Sequence, residues 1–187
     1  MSKPRSIDRD LVLDMAEKIV TENGPAALTF DAVARAAGIT KGGVQSCFGA
    51  KSGLVSAMAE RWGRNYDECL EKTAGKNIED ISDLEKIHAH VGITAAEKSL
   101  NARAACHLAM LVESQELRDW IRSWHNSRVN TLDMANREDR AARVAYLAAE
   151  GAFLLRHFGL LEVSDAQWKS IFSDIDEIIF EKPSNQS

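Results

Sequence analysis

The chain has 187 residues, a 45% hydrophobic share and a formal net charge of −5, which suits a packed core in one domain or a small head on a larger body. No apolar run approaches the roughly 18 residues of a membrane span, and the opening MSKPRSIDRD has no apolar signal-peptide core. Three cysteines without metal-ligand spacing fit a reducing, cytoplasmic setting, and three prolines with few β-branched runs disfavour sheet.

Lys3 and Arg5 precede the first helix in a short basic arm. That helix is expected from about Asp8 to Asn23, with Leu11, Met15 and Ile19 on one stripe beside Val12, Ala16 and Val20, and Gly24-Pro25 ending it. Thr29 is a good N-cap for a second helix, on which Phe30, Val33, Ala34 and Ala37 share a face. Gly38 supplies the positive φ that stops it, and Ile39 plugs the turn. Thr40 then caps a helix of about two turns that ends at Phe48, with Val44 and Phe48 inward. Lys41, Gly42, Gly43, Gln45, Ser46 and Cys47 are left for the outside. A short helix with apolar anchors and a polar, glycine-opened front is what a helix-turn-helix asks of its recognition helix.

A fourth helix is predicted from about Ala50 to Thr73, stopped by Gly75. It is too long for the head alone and is the expected lever between head and body. Ser82 and Glu85 form a capping box that opens a fifth helix, and a sixth spans about Asn101 to Val112. Ser114 caps a helix on which Leu117, Ile121, Trp124, Arg128 and Leu132 recur at helical spacing. Asn136 opens a long helix that Gly159 ends, and Ser164 with Gln167 makes a second capping box before the last. The expected fold is all-α with about nine helices.

The segment ITKGGVQSCFGAKSGL resembles the DNA-binding head of the TetR (tetracycline-repressor-like) family of bacterial transcription factors. The resemblance begins at Leu11, includes Leu28-Thr29 and Ala37-Gly38-Ile39-Thr40, and closes on Phe48, Lys51 and Leu54. It departs from the family at Gln45, Ser46 and Cys47, where a tyrosine and a histidine are usual, and at Ala50, where a capping Ser or Asn is common. The resemblance implies a three-helix head over residues 1–53 and a helical ligand-binding and dimerisation domain over 54–187. WIRSWH and YLAAEGAFLLRHFGL look like one C-terminal branch of the same family.

Charge divides along the chain. Residues 1–51 carry seven Lys or Arg against six Asp or Glu, and the remainder sixteen against twenty-two. Screening confines each charge to about 8–10 Å, so a local basic patch can dock on DNA despite an acidic whole. Gln45 has the amide that pairs with adenine in the major groove. Lys41 and Lys51 can neutralise phosphates, and Thr29, Thr40 and Ser46 can hydrogen-bond them. Gly42 and Gly43 each cost about 1 kcal/mol of helix stability, which suggests a close backbone approach, DNA being the natural neighbour.

In the body, Trp120, Trp124 and Tyr146 are the expected lining of a small-molecule pocket. His88 and His90 diverge by two residues on a helix, and Cys106 and His107 are adjacent, so no metal is assigned. Leu147, Gly151, Leu154 and Phe158 form one stripe, with Phe172, Ile175 and Ile179 as a second; as the family pairs its last two helices across a two-fold, these residues are the expected homodimer interface. The expectation is thus a DNA-binding regulator, a repressor released from a palindromic operator by a hydrophobic or aromatic effector, with no cofactor. No catalytic constellation can be assembled. A helical protein-binding adaptor is the alternative.

Overall fold

The computed structural model describes residues 7–110 and 114–180, apart from the Phe180 side chain; the basic arm with Lys3 and Arg5 lies outside them. Among the described residues the regular structure is all helical. The helices are α1 (Arg9–Asn23), α2 (Phe30–Ala37), α3 (Lys41–Phe48), α4 (Lys51–Ala74), α5 (Asp83–Ala96), α6 (Lys98–Ala109), α7 (Gln115–Val129), α8 (Arg137–His157) and α9 (Asp165–Phe180). None of them is long and apolar enough to cross a membrane.

Local chemistry starts and stops these helices. The side chains of Asp8, Thr29, Thr40, Ser114 and Asn136 accept from backbone N–H groups in the first turns of α1, α2, α3, α7 and α8. Ser82 with Glu85 and Ser164 with Gln167 form reciprocal boxes at α5 and α9. Each such cap contributes about 1 kcal/mol by satisfying donors the helix leaves open. Gly38 closes α2 in the left-handed region, at φ 67°.

The chain divides into two compact units, one of residues 1–63 and 106–120 and one of 64–105 and 121–187. The division falls within α4, α6 and α7.

In the first unit the core comprises Val12, Ala16, Val20, Leu28, Val33, Val44, Leu54 and Met58, all buried. On α1 the buried stripe is Val12, Ala16 and Val20 with Leu13. Leu11, on the stripe expected beside it, is 43% exposed. Val12 and Leu11 are about 100° apart on a helix, so the stripe of Leu11, Met15 and Ile19 runs along the margin of the buried face. Gly53, in the first turn of α4, lies against α3: a Cβ there would sit 2.1 Å from the Phe48 carbonyl oxygen. Only a residue without a side chain allows that approach.

A buried arginine joins α1 to α4. Arg61 lies 2.8 Å from a carboxylate oxygen of Asp14 and 2.8 Å from one of Glu17. Its Nη1 also donates to the Asp10 carbonyl at 3.0 Å. Burial disfavours its charge, but Glu17 and Asp14 more than offset this and raise its pKa. Trp62 and Trp120 meet edge to face in the same unit, with ring centroids 6.1 Å apart.

In the second unit α5 packs on α8 and α9, and α8 on α9. Ile87, Leu132, Ala142 and Tyr146 form a buried cluster there. Trp168 donates its indole N–H to the Ala95 carbonyl at 2.9 Å and stacks obliquely against Phe172. Phe172 and Ile175, expected on the dimer face, are instead core, at 3% and 4% exposure. The stripe of α9 that contains them turns inward onto its own unit, while Ile178 is exposed and Ile179 half-buried.

Candidate nucleic-acid interface and aromatic cluster

Helix α3 is eight residues long and is anchored from below by Val44 and Phe48. Those two anchors fix which way the helix faces. Lys41, Gly42, Gln45 and Ser46 are exposed on its outside, as are Thr40 at its cap, Thr29 at the cap of α2 and Lys51 at the start of α4.

Three of the expected contacts carry a local condition. Lys41 is paired with Asp31 of α2, Nζ to carboxylate 2.7 Å, with both side chains well exposed. The hydroxyls of Thr29 and Thr40 accept the cap hydrogen bonds from Ala32 and Gly43, which leaves their O–H protons as donors. Gly43 differs from its neighbour. A Cβ on it would meet the Ile7 side chain at 3.0 Å, whereas one on Gly42 would meet open space. Packing within the chain therefore accounts for Gly43, and no neighbour in the unit accounts for Gly42.

Arg9 lies behind α3 and was not among the expected residues. Its Nη1 donates to the Cys47 carbonyl at 2.6 Å, and its guanidinium lies 4.6 Å from the Phe48 ring centroid. It thereby takes one of the carbonyls that the C-terminal turn of α3 leaves unpaired. Lys51 borders a depression of about 160 Å³ together with Pro25, Val55, Met110 and Glu116.

The second unit contains a polar cluster walled by aromatic rings. His90 on α5 is hydrogen-bonded to the Tyr66 hydroxyl (2.8 Å) and to the Glu150 carboxylate (2.8 Å). His125 on α7 is hydrogen-bonded to the Tyr146 hydroxyl at 2.7 Å. Thr94 donates to the His90 carbonyl at 2.9 Å. The His90 ring lies 4.7 Å from that of Tyr146 and 5.7 Å from that of Trp124. Burial would raise the Glu150 pKa, but the His90 hydrogen bond and charge outweigh it and hold the carboxyl below its ordinary range. Burial raises both tyrosines and lowers His125.

Of the three aromatics expected to line a pocket, Trp124 and Tyr146 share this cluster through His90 and His125. Trp120 belongs to the first unit, against Trp62. Glu150 was absent from the expected set, although a lone acid within YLAAEGAFLL was a visible signal. Among the described residues no group of three His, Cys, Asp or Glu is placed to hold a metal ion.

On α8 and at its C-cap, Leu147, Leu154 and Phe158 are exposed at 58%, 39% and 42%. A Cβ on Gly151 would meet nothing within 4 Å, so packing inside the unit does not require a glycine there. Val144, Leu155, Leu160 and Leu161 extend the exposed apolar surface.

A capped eight-residue helix, set by a glycine turn on a second helix and polar on its outer side, defines a helix-turn-helix DNA-binding protein. The chain belongs to the TetR family of bacterial transcriptional regulators. Residues 85–179 match the family described as "Tetracyclin repressor-like, C-terminal domain", and residues 12–58 match "Bacterial regulatory proteins, tetR family". No curated protein matches the chain. Among solved structures, a TetR-like transcriptional regulator from Rhodococcus sp. RHA1 is 18% identical, with a TM-score of 0.64 over 96% of this chain and 97% of that one. The multidrug binding protein EbrR, complexed with malachite green, is 19% identical, with a TM-score of 0.60 over 95% and 99%. At these identities the likeness is one of fold.

Proposed function

We propose that the protein is a homodimeric repressor that leaves a palindromic operator when a small hydrophobic or aromatic effector binds its body. The observation that carries the DNA half is α3: Val44 and Phe48 lock it to the head, and Gln45, Ser46 and Gly42 are thereby held outward together. In this reading Gln45 contacts a base edge. Lys51, Ser46 and the Thr29 and Thr40 hydroxyls contact phosphates, and Lys41 exchanges Asp31 for a phosphate on docking. Residues 1–53 are the DNA-binding domain and 54–187 the effector-binding and dimerisation domain.

The dimer half rests on the apolar surface of α8. Leu147, Leu154 and Phe158 with Val144 and Leu155 are exposed around a glycine that nothing in its own unit crowds. A two-fold would lay this strip on its own copy, with Ile178 of α9 beside it. Two recognition helices could then meet half-sites about 34 Å apart. An effector would act by population shift, favouring an orientation of α4 in which that spacing is lost. A protein of the same fold holds malachite green, which supports a small-molecule effector here.

Selection of bound sequences from random duplex DNA tests the reading. A two-fold symmetric consensus whose affinity falls steeply with salt is the expected result. Enrichment of no sequence, with the protein instead retaining a protein ligand, would leave the adaptor reading standing.

A further inference from the structure

The Arg128 side chain lies on the second unit's aromatic cluster in a manner that a free cation could reproduce. Its guanidinium carbon is 3.5 Å from the Trp124 ring centroid and 5.1 Å from that of Tyr66. These two rings meet at 78° with centroids 5.1 Å apart, so they form two walls of a corner. Nη1 donates to the Trp124 carbonyl at 2.8 Å. Arg128 occupies the last turn of α7, where carbonyls and the helix dipole favour positive charge. Two carboxylates, Asp67 and Glu150, feel its charge, and Glu150 is also paired with His90 at 2.8 Å.

We propose that the corner of Trp124 and Tyr66 is a cation seat for the planar cationic head of the effector, a guanidinium or amidinium, which enters by exchanging with Arg128. This rests on reading the second unit as the effector-binding body, and it narrows the effector's chemical class. Exchange of one planar cation for another keeps the charge balance with Glu150 and Asp67. It also replaces one cation–π contact with another of the same kind. Arg128 and Trp124 are half-buried, while Tyr66 lies beneath them at 2% exposure, so the seat opens at the solvent edge of the cluster. An anion entering the same corner would face two carboxylates, and a neutral ring would displace a positive charge that favours their ionised forms.

The probes are benzamidinium and methylguanidinium, titrated into the full-length protein, with benzoate and benzyl alcohol as controls. Binding is read from tryptophan emission and the melting temperature. Benzamidinium is expected to quench the wild type, and the quench should vanish in Trp124→Phe, which leaves the other three tryptophans in place. Removing the internal competitor should tighten binding about tenfold in Arg128→Ala, and Glu150→Gln should weaken it about tenfold. Methylguanidinium should raise the melting temperature of Arg128→Ala more than that of the wild type. Arg128→Met, which keeps the packed stem, is the same test should the alanine variant fail to fold.

Arginine variants that bind the cations no more tightly than wild type overturn the exchange. So does benzoate binding on equal terms. Operator binding is assayed separately. Benzamidinium that occupies the seat without changing DNA affinity overturns the effector assignment. A protein that selects no DNA removes the regulator reading, and the cation titration still decides the seat.

Discussion

Arg9 and Phe48 lie 39 positions apart in sequence, yet the guanidinium of one lies 4.6 Å from the ring centroid of the other. The same guanidinium takes the Cys47 carbonyl. Helix α3 is therefore held at its C-terminal end by α1 as well as by its own buried anchors. Arg9→Ala should cost about 1 kcal/mol of stability through the lost cation–π contact and hydrogen bond. It should also weaken operator binding, because the last turn of α3 loosens. An unchanged melting temperature would show the pair to be an ordinary solvated contact.

The glycines of the head should separate by substitution. At Gly53 a methyl group meets the Phe48 carbonyl, which is backbone and cannot rotate away. Gly53→Ala should therefore destabilise by about 2 kcal/mol. At Gly42 the methyl meets open space, so Gly42→Ala should stabilise by about 0.5–1 kcal/mol in a denaturant titration. If a DNA backbone passes close to Gly42, the same variant should bind operator more weakly although it is more stable. Equal or better binding would remove the close-approach argument.

Base and phosphate contacts should fail differently. Gln45→Ala is expected to relax preference at one base pair, worth about 1–3 kcal/mol. Lys51→Ala should weaken all sequences alike and reduce the salt slope by about one. A binding-site selection profile that Gln45→Ala leaves intact would reassign Gln45 as plain surface.

The strip on α8 predicts its own variants. Leu147→Glu leaves the monomer core untouched, since Leu147 is 58% exposed. Gly151→Asp adds a side chain where the unit has room. Both variants should fold as well as wild type, sediment as monomers at micromolar concentration and bind operator poorly. A wild-type protein that sediments as a monomer would end the dimer reading.

Acid should destabilise the protein in two stages. Burial lowers the pKa values of His88, His125 and His157 below the ordinary 6.5, so the unfolded chain binds protons there first. Stability is then present above pH 6.5 and declines as pH falls through it. Glu150, held low against burial by His90, contributes stability that is lost at lower pH, as its carboxyl titrates below the ordinary 4.5. The slope between pH 7 and 5 should flatten in His125→Gln, measured by urea titration at each pH. An unaltered slope would mean that His125 is as accessible to protons folded as unfolded.

What the sequence determined by itself is the set of features that close over three or four residues. Thr29, Thr40, Ser82, Asn136 and Ser164 stand where they were expected as caps, and Gly38 adopts the left-handed turn. A cap depends on a side chain reaching its own next turn, and that distance is set by helix geometry alone. The family resemblance rested on the same local pattern.

Tertiary structure decided what local pattern leaves degenerate. Leu147 on α8 and Phe172 on α9 both lie on apolar helical stripes, but one is exposed and the other is core, because burial depends on which face a neighbouring helix covers. Trp120 and Trp124 are one turn apart on α7, yet they join different units. Arg61 with Glu17, and His90 with Glu150, pair across gaps of 44 and 60 positions that no periodicity encodes. Only the packed fold brings such charges close enough, and dry enough, for their pairing to matter.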